Sequence, residues 1–377
     1  MSDLPMSRRD VLQRGAAAAV MASLPVAVVG AEQAAQARPW ITIRGLYGGF
    51  PAEILERGQT PADYGVNAIW VGSGGLNKAE IDRYHDLGLK VFAEFNSMHH
   101  SAYLKEHPDA APIGSDGRPS PAQDGWQGVS PFHADYRRER MSEFERVLKT
   151  FEIDGVWLDY HHAHASWERA EPLLPDTDFA PAALEQFSKS TGIKQPADVT
   201  QAAPMLLGEH REAWTKFRCD VFTDWVREYR DIVNATRPKA LLGTFHCPWT
   251  NEERQGAIRH KLAIDLASQA AFIDVFSIMP YHARFGHPGD PAWISRQTAA
   301  LGKLLNVKGD AGDQQKIWPI VQLADWGETV AAAEVADVID HATRTPSTGV
   351  MVFHWSGISK QWDKMETLGK AYRAIRA

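Results

Sequence analysis

The sequence predicts an α/β protein folded as a single (β/α)8 barrel, the TIM-barrel architecture. Two observations carry the prediction. Short apolar runs bounded by Gly, Pro and polar residues alternate with stretches of helical periodicity, eight times over. No linker or shift of composition divides the chain, and the roughly 340 residues that follow an N-terminal leader suit one closed barrel. An open doubly wound sheet fits less well, because no glycine-rich phosphate fingerprint follows the first strand.

The first strand runs from Ile41 to Leu46, reaching Tyr47, with a helix near Pro51 to Arg57. Val66 to Val71 is the second strand, closed by Gly72-Ser-Gly-Gly75, and Lys78 to Leu87 is its helix. Leu89 to Asn96 is the third strand. A polar loop spans Pro108 to Pro131, and a helix from about Ala134 to Phe151 then sets Met141, Phe144, Val147 and Leu148 on one face. The fourth strand is the apolar run Val156 to Leu158, opened by glycine and closed by Asp159. Its loop is long, Tyr160 to about Pro204. A loop of that length is usually functional or carries its own helix, here Pro181 to Thr191. The fourth helix, about Glu209 to Thr236, holds Trp214, Phe217, Val221, Trp225 and Tyr229 in register. Strand five is Ala240 to Phe245, with a helix from Thr250 to about Ala270. Strand six is Phe272 to Met279, with a helix from Pro291 to Leu305. Strand seven is Ile317 to Leu323, with a helix from Thr329 to Thr343. Strand eight is Gly349 to Phe353, and Trp362 to Ile375 closes the chain.

The front of the chain reads as an address. Ser7-Arg-Arg-Asp-Val-Leu-Gln13 carries paired arginines, Ala16 to Val29 is apolar and uncharged, and Ala35-Gln36-Ala37 offers a small-x-small cleavage site. This is similar to a twin-arginine export signal over residues 1–37, leaving a barrel over 38–377. The expected destination is the periplasm or the exterior, with no membrane span in the mature form, since a span needs about 20 apolar residues. Hydrophobic residues make up 44% and charged residues 23%, enough to bury a large core. The net charge of -7 with no basic block argues against nucleic acid as a partner. The expected form is a monomer acting on carbohydrate, without a cofactor. Two cysteines, Cys219 and Cys247, form no disulfide framework and match no zinc motif. They read as two buried thiols, with pairing after export the alternative.

In such a barrel all eight C-terminal strand ends face one mouth. They supply Arg44 and Tyr47, Gly72 and Ser73, Glu94 and Asn96, Asp159 and His161, His246 and Trp249, Tyr281 and His282, Gln322 and Asp325, and His354 and Trp355. A cleft rich in carboxylate, His, Tyr and Trp suits a sugar. Aromatic faces, here Trp249, Trp326 and Trp355, stack on the ring, and polar side chains bond its hydroxyls. Two carboxyl groups then cleave the glycosidic bond, one protonated and one ionised.

Asp154-Gly-Val-Trp-Leu-Asp159 resembles the DG-(apolar)-D ending of strand four in barrel glycoside hydrolases. The stretch from Val91 to His162 resembles the hypothetical glycoside-hydrolase-like families, with His107-Pro108-Asp109 and Asp116-Gly117 in the preceding loop. Ser277-Ile-Met-Pro-Tyr281 is similar to the M-x-Y ending of strand six in chitinase-like barrels. Chitinases place a Glu two residues beyond the strand-four Asp, where this chain has His161. The resemblance implies Asp159 as a catalytic carboxylate.

The second carboxylate is expected to be Asp325, across the mouth, or Glu94, which shares the inward parity of Phe92 and Asn96. Arg44 is a candidate ion-pair partner for Glu94. Glu253 reads as a member of the capping box Thr250-Asn-Glu-Glu253, and Glu328 has no distinguishing feature. The cluster His161, His162 and His164, with Asp159 and His246 or His282, opens an alternative: a metal-dependent hydrolase or deacetylase. A third reading is a non-catalytic carbohydrate-binding barrel.

Overall fold

The computed structural model describes residues 38–376, and the leader expected over residues 1–37 lies outside them. Among the described residues nine short strands form one parallel sheet: β1 (Ile43–Tyr47), β2 (Ala68–Gly72), β3 (Lys90–Asn96), β4 (Gly155–Asp159), β5 (Leu241–His246), β6 (Val275–Ile278), β7 (Lys316–Ile317), β8 (Ile320–Gln322) and β9 (Gly349–Phe353). Their order is β7-β6-β5-β4-β3-β2-β1-β9-β8. β7 and β8 are two halves of the expected seventh strand, broken at Trp318-Pro319. β7 pairs with β6 and β8 pairs with β9, so the interrupted strand closes the sheet into the expected (β/α)8 barrel. Proline lacks the N–H that a ladder needs, which explains the break. The Trp318 amide still donates to Phe276 (3.0 Å), and the Pro319 carbonyl accepts from Met351 (3.0 Å), one contact on each side.

Helices cover the outside. Ala134–Thr150 buries Met141, Phe144, Val147 and Leu148, as its period predicts. Arg211–Thr236 buries Trp214, Phe217, Trp225 and Tyr229, and leaves Val221 half-buried. Pro181–Thr191 starts on proline and stops at Gly192, whose φ of 74° is the left-handed conformation glycine favours. The fifth helix departs from expectation. Its capping box forms, with the Thr250 amide 2.6 Å from Glu253 Oε2. Arg254 and Gln255 then turn left-handed, and only Ala257–His260 and Leu266–Gln269 are α-helical. The Arg218 guanidinium takes the carbonyls of His260 (2.7 Å) and Lys261 (3.1 Å), acceptors a continuing helix would use itself. Cys219 and Cys247 are both buried free thiols. No described helix is long and apolar enough to cross a membrane.

The barrel interior is aromatic. Trp70 of β2, Phe92 of β3, Trp157 of β4 and Trp318 are buried together, with ring centroids 4.6–6.5 Å apart. These rings fit because neighbouring strands carry glycine at the same height. A Cβ on Gly45 would stand 2.3 Å from the Trp70 ring, and one on Gly243 would stand 2.2 Å from Trp157. The Trp157 indole is pinned further by its N–H to Ser277 Oγ at 2.9 Å. This floor sets the height of the chemistry, since Glu94 is the next inward residue above Phe92 and Asp159 the next above Trp157. Gly243→Ala should overpack this layer and cost about 1–3 kcal/mol of stability. Thermal or urea melting checks it, and an unchanged melting point would contradict the packing described.

Candidate active site

The parallel register of β3 and β4 places Asn96 opposite Asp159 and Glu94 opposite Trp157, so Asp159 stands one pleat nearer the mouth than Glu94. Their carboxyl groups stand close enough to share a hydrogen bond when one of them is protonated. Each carboxyl has a second partner: the Tyr47 hydroxyl donates to Glu94 Oε2 at 2.6 Å, and the Tyr160 amide donates to Asp159 Oδ1 at 2.8 Å. Tyr160 has φ 49°, an uncommon conformation for a residue with a Cβ, and it turns the chain out of β4 directly after Asp159. Burial, then the charges of Glu94 and Glu168, push the Asp159 carboxyl well above the usual carboxylate range. Glu94 is also raised by burial, against the hydrogen bonds from Tyr47 and Asp159 that lower it. Two carboxyls in such contact do not both ionise at rest near neutral pH.

A third carboxyl joins them from the long loop after β4. Glu168 lines a cleft of about 420 Å³ with His99, Trp126, Tyr160, Arg284 and Trp326. No described residue hydrogen-bonds its carboxyl. Burial raises it to about 7, with Arg284 lowering it and Glu94 raising it further. Arg284 is itself fixed: its Nε donates to the Glu168 carbonyl (2.7 Å), its backbone amide donates to Gln322 Oε1 (3.1 Å), and its guanidinium lies 4.5 Å from the Trp326 ring centre. The Tyr281 hydroxyl is buried without a hydrogen-bond partner among the described residues, and Glu168, Asp159 and Glu94 all act on it. The sequence reading missed Glu168. The available signal was the length of its loop, together with a carboxyl set beside Trp167.

Of the residues expected at the mouth, Tyr47, Glu94, Asp159 and Tyr281 come together, and Trp326 lines the adjoining cleft. Asn96 Oδ1 accepts the His99 amide (3.0 Å) at the Asp159 level. Gln322 lies beneath, holding Arg284. The rest are placed elsewhere. Asp325 is bonded to Lys364 (2.8 Å), Gln361 (2.7 Å) and the Val330 amide (3.1 Å). Burial alone would raise its carboxyl, but these partners hold it below the ordinary value. Arg44 does not pair with Glu94. It points off the inward face, to the carbonyls of Gly65 (2.7 Å) and Ile41 (3.1 Å). His246 and Trp249 line a separate flank cavity of about 530 Å³, whose wall includes none of Asp159, Glu94 and Glu168. Trp355 is core, its N–H on Glu53 (2.8 Å), and His354 bonds Ser356 (2.8 Å). His282 is buried against Glu334 (2.8 Å). Glu253 caps its turn, and Glu328 pairs with Arg284 (3.4 Å).

The histidine cluster is structural wiring. His161 donates from Nε2 to the Phe222 carbonyl (2.9 Å) and accepts from Ser97 at Nδ1 (2.9 Å). His162 donates to the Ala163 carbonyl (2.7 Å) and accepts from the Trp167 indole (2.8 Å). His164 donates to the Pro121 carbonyl (2.8 Å) and accepts from the Gly128 amide (3.1 Å). All six ring nitrogens of His161, His162 and His164 are engaged within the protein. Burial pushes His161 down to about 4 and His162 to about 3, so both stay neutral at pH 7.

The sequence matches no protein-family model and no curated protein sequence. The fold does match solved structures. The glycoside hydrolase domain of PgaB (BpsB) from Bordetella bronchiseptica aligns with a TM-score of 0.66 at 14% identity, over 88% of this chain and 98% of its own. A β-galactosidase from the psychrophilic Marinomonas ef1 aligns with a TM-score of 0.64 at 14% identity, over 88% of this chain and 59% of its own. The α-L-fucosidase isoenzyme 2 from Paenibacillus thiaminolyticus aligns with a TM-score of 0.57 at 13% identity, over 90% of this chain and 49% of its own. The chain therefore spans only part of the last two. At such identities the likeness shows the α/β barrel fold.

The raised Glu168 carboxyl has a consequence for stability. Folded, it holds its proton more tightly than in the unfolded chain, where a Glu titrates at about 4.3. Its contribution is complete below that value and is lost as pH rises through about 7. The protein should therefore melt lower at about pH 8 than at about pH 5, and Glu168→Gln should narrow the difference. An equal difference in both proteins would contradict the burial assigned to Glu168.

Proposed function

We propose that this chain is an exported glycoside hydrolase, acting in the periplasm or outside the cell on a polysaccharide or oligosaccharide. Asp159 is its general acid and Glu168 its second catalytic carboxylate. The observation that carries this reading is three carboxyls gathered at one barrel mouth, Asp159 and Glu94 in contact and Glu168 on the adjoining cleft with no hydrogen-bond partner among the described residues. Asp159 lies far above the ordinary range and Glu168 near 7. Groups whose environments separate them in this way divide the acid and base roles. Asp159 keeps its proton for the glycosidic oxygen. Glu168 is the carboxyl that ionises near neutrality, to attack the sugar or activate water.

Glu94, expected as a possible partner in cleavage, fits a supporting role better. The two functional carboxyls of a glycosidase stand about 5–5.5 Å apart when configuration is retained and about 6.5–9.5 Å apart when it is inverted. Glu94 and Asp159 share a proton, whereas the two functional carboxyls must stand on either side of the bond they cleave. Trp126, Tyr160 and Trp326 offer faces for a sugar ring, and Arg284 a donor for its hydroxyls. The names of the solved barrels of like fold, a glycoside hydrolase domain, a β-galactosidase and a fucosidase, agree with this reading. The paired arginines and apolar stretch before residue 38 support export.

Release of reducing sugar from a panel of polysaccharides tests the proposal, with and without a chelator. The mature chain should release sugar in both conditions. Asp159→Asn and Glu168→Gln should each lose about 10²–10⁴-fold in kcat, the span general acid–base catalysis supplies, while circular dichroism stays unchanged. Full turnover by Asp159→Asn would remove Asp159 from its role. Release that disappears with chelator and returns with zinc, or silence of the wild type across the panel, would overturn the two-carboxyl hydrolase.

A further inference from the structure

The Glu94–Asp159 pair holds one proton between two oxygens, and nothing in the symmetry of a carboxyl pair says which residue keeps it. The surroundings are not symmetric. Outside the pair, Glu94 accepts from the Tyr47 hydroxyl at 2.6 Å, whereas Asp159 accepts the Tyr160 backbone amide at 2.8 Å. Tyr47 cannot easily turn away. Its ring is stacked on Phe353 (centroids 5.5 Å, 25°) and meets the edge of Phe245 (5.5 Å, 88°), so residues from β5 and β9 aim a hydroxyl from β1 at a carboxyl on β3. β2 contributes only Gly72 at this level, where an added Cβ would come within 3.9 Å of Glu94 Oε2.

We propose that Tyr47 is a positioning residue that fixes the charge of the pair on Glu94 and its proton on Asp159. A phenol gives its hydrogen to an ionised carboxylate far more strongly than to a neutral acid. With Tyr47 donating, the stable arrangement is Tyr47 O–H to Glu94 carboxylate, and Asp159 O–H to the same carboxylate. The other titratable groups around the pair do not reverse this. Tyr160 and Glu168 follow β4, Tyr281 follows β6, His99 follows β3, and Arg284 stands beyond Glu168. The charged groups acting directly on Glu94 and Asp159 are carboxyls, which favour one shared proton without choosing its seat. Glu94 then acts through Asp159: its charge keeps the acid protonated until the glycosidic oxygen takes the proton.

The inference rests on the hydrolase reading for its catalytic meaning, but the seat of the proton is measurable without turnover. Carboxyl carbon-13 spectra of Asp- and Glu-labelled protein at neutral pH, assigned with Asp159→Asn and Glu94→Gln, report it directly. The Asp159 signal should sit at the protonated position and the Glu94 signal at the ionised one. In Tyr47→Phe, which keeps the ring, the Glu94 signal should move toward the protonated position. In Glu94→Gln, Asp159 should titrate at lower pH than in the wild type. If sugar is cleaved, Tyr47→Phe should also lower kcat about tenfold or more with KM unchanged, the worth of one hydrogen bond to a charged group. A protonated Glu94 in the wild type, or spectra that Tyr47→Phe leaves unchanged, would overturn the inference. Spectra as expected with no glycan cleaved would leave the proton assignment standing and count against the hydrolase reading alone.

Discussion

Two carboxyl groups in contact do not both ionise at rest near neutral pH, and the site depends on that constraint. The register of β3 against β4 sets the two side chains on the same inward face one pleat apart, Glu94 opposite Trp157 and Asp159 opposite Asn96. Among the described residues, the charges acting most strongly on Asp159 are carboxyls, and none of the strongest influences on Glu94 is a cation. At rest the pair keeps one proton, and Asp159 is held as an acid at a pH where an exposed aspartate would be fully charged. Glu168 feels the same charge from a distance and is raised less, partly because Arg284 offsets it. The separation of proton affinities at the mouth is therefore a product of geometry more than of the identity of any one residue.

That geometry is held from below. Trp70, Phe92, Trp157 and Trp318 fill the barrel as a rigid layer, and Gly45 and Gly243 let the rings approach the neighbouring backbones. Aromatic rings move little in a close-packed interior, so the residues one pleat higher inherit fixed positions. From the sides, the neutral histidines after β4 tie the Glu168 loop to its neighbours. His161 joins it to Ser97 and Phe222, and His164 joins it to Pro121 and Gly128. An irregular loop can thus present a carboxyl with the precision of a strand.

Much of this was legible in the sequence. The apolar run into Asp159 gave the fourth strand, and parity gave Glu94 an inward direction beside Phe92. The helix faces followed from period alone. The errors have physical causes. Arg44 and His246 were assigned to the mouth by nearness to a strand end, yet each lies one residue off the inward set, Gly45 and Tyr47 on β1 and Gly243 and Phe245 on β5, and so faces away. Asp325 finds its partner in Lys364, 39 positions along the chain, which no local pattern reports. Glu168 sits in irregular structure, where there is no period to read. The fifth helix failed because Arg218, on another helix, takes its carbonyls.

The central claim is that Asp159 delivers a proton to the leaving group. The dependence of Asp159→Asn on leaving-group quality tests it most directly. An aryl glycoside with a strongly acidic phenol needs no proton to depart, whereas an alkyl glycoside does. The account predicts that Asp159→Asn works at close to the wild-type rate on the first and loses about 10²–10⁴-fold on the second. An equal loss on both substrates would contradict it, since a residue that hinders every substrate alike is not the one that protonates the departing oxygen.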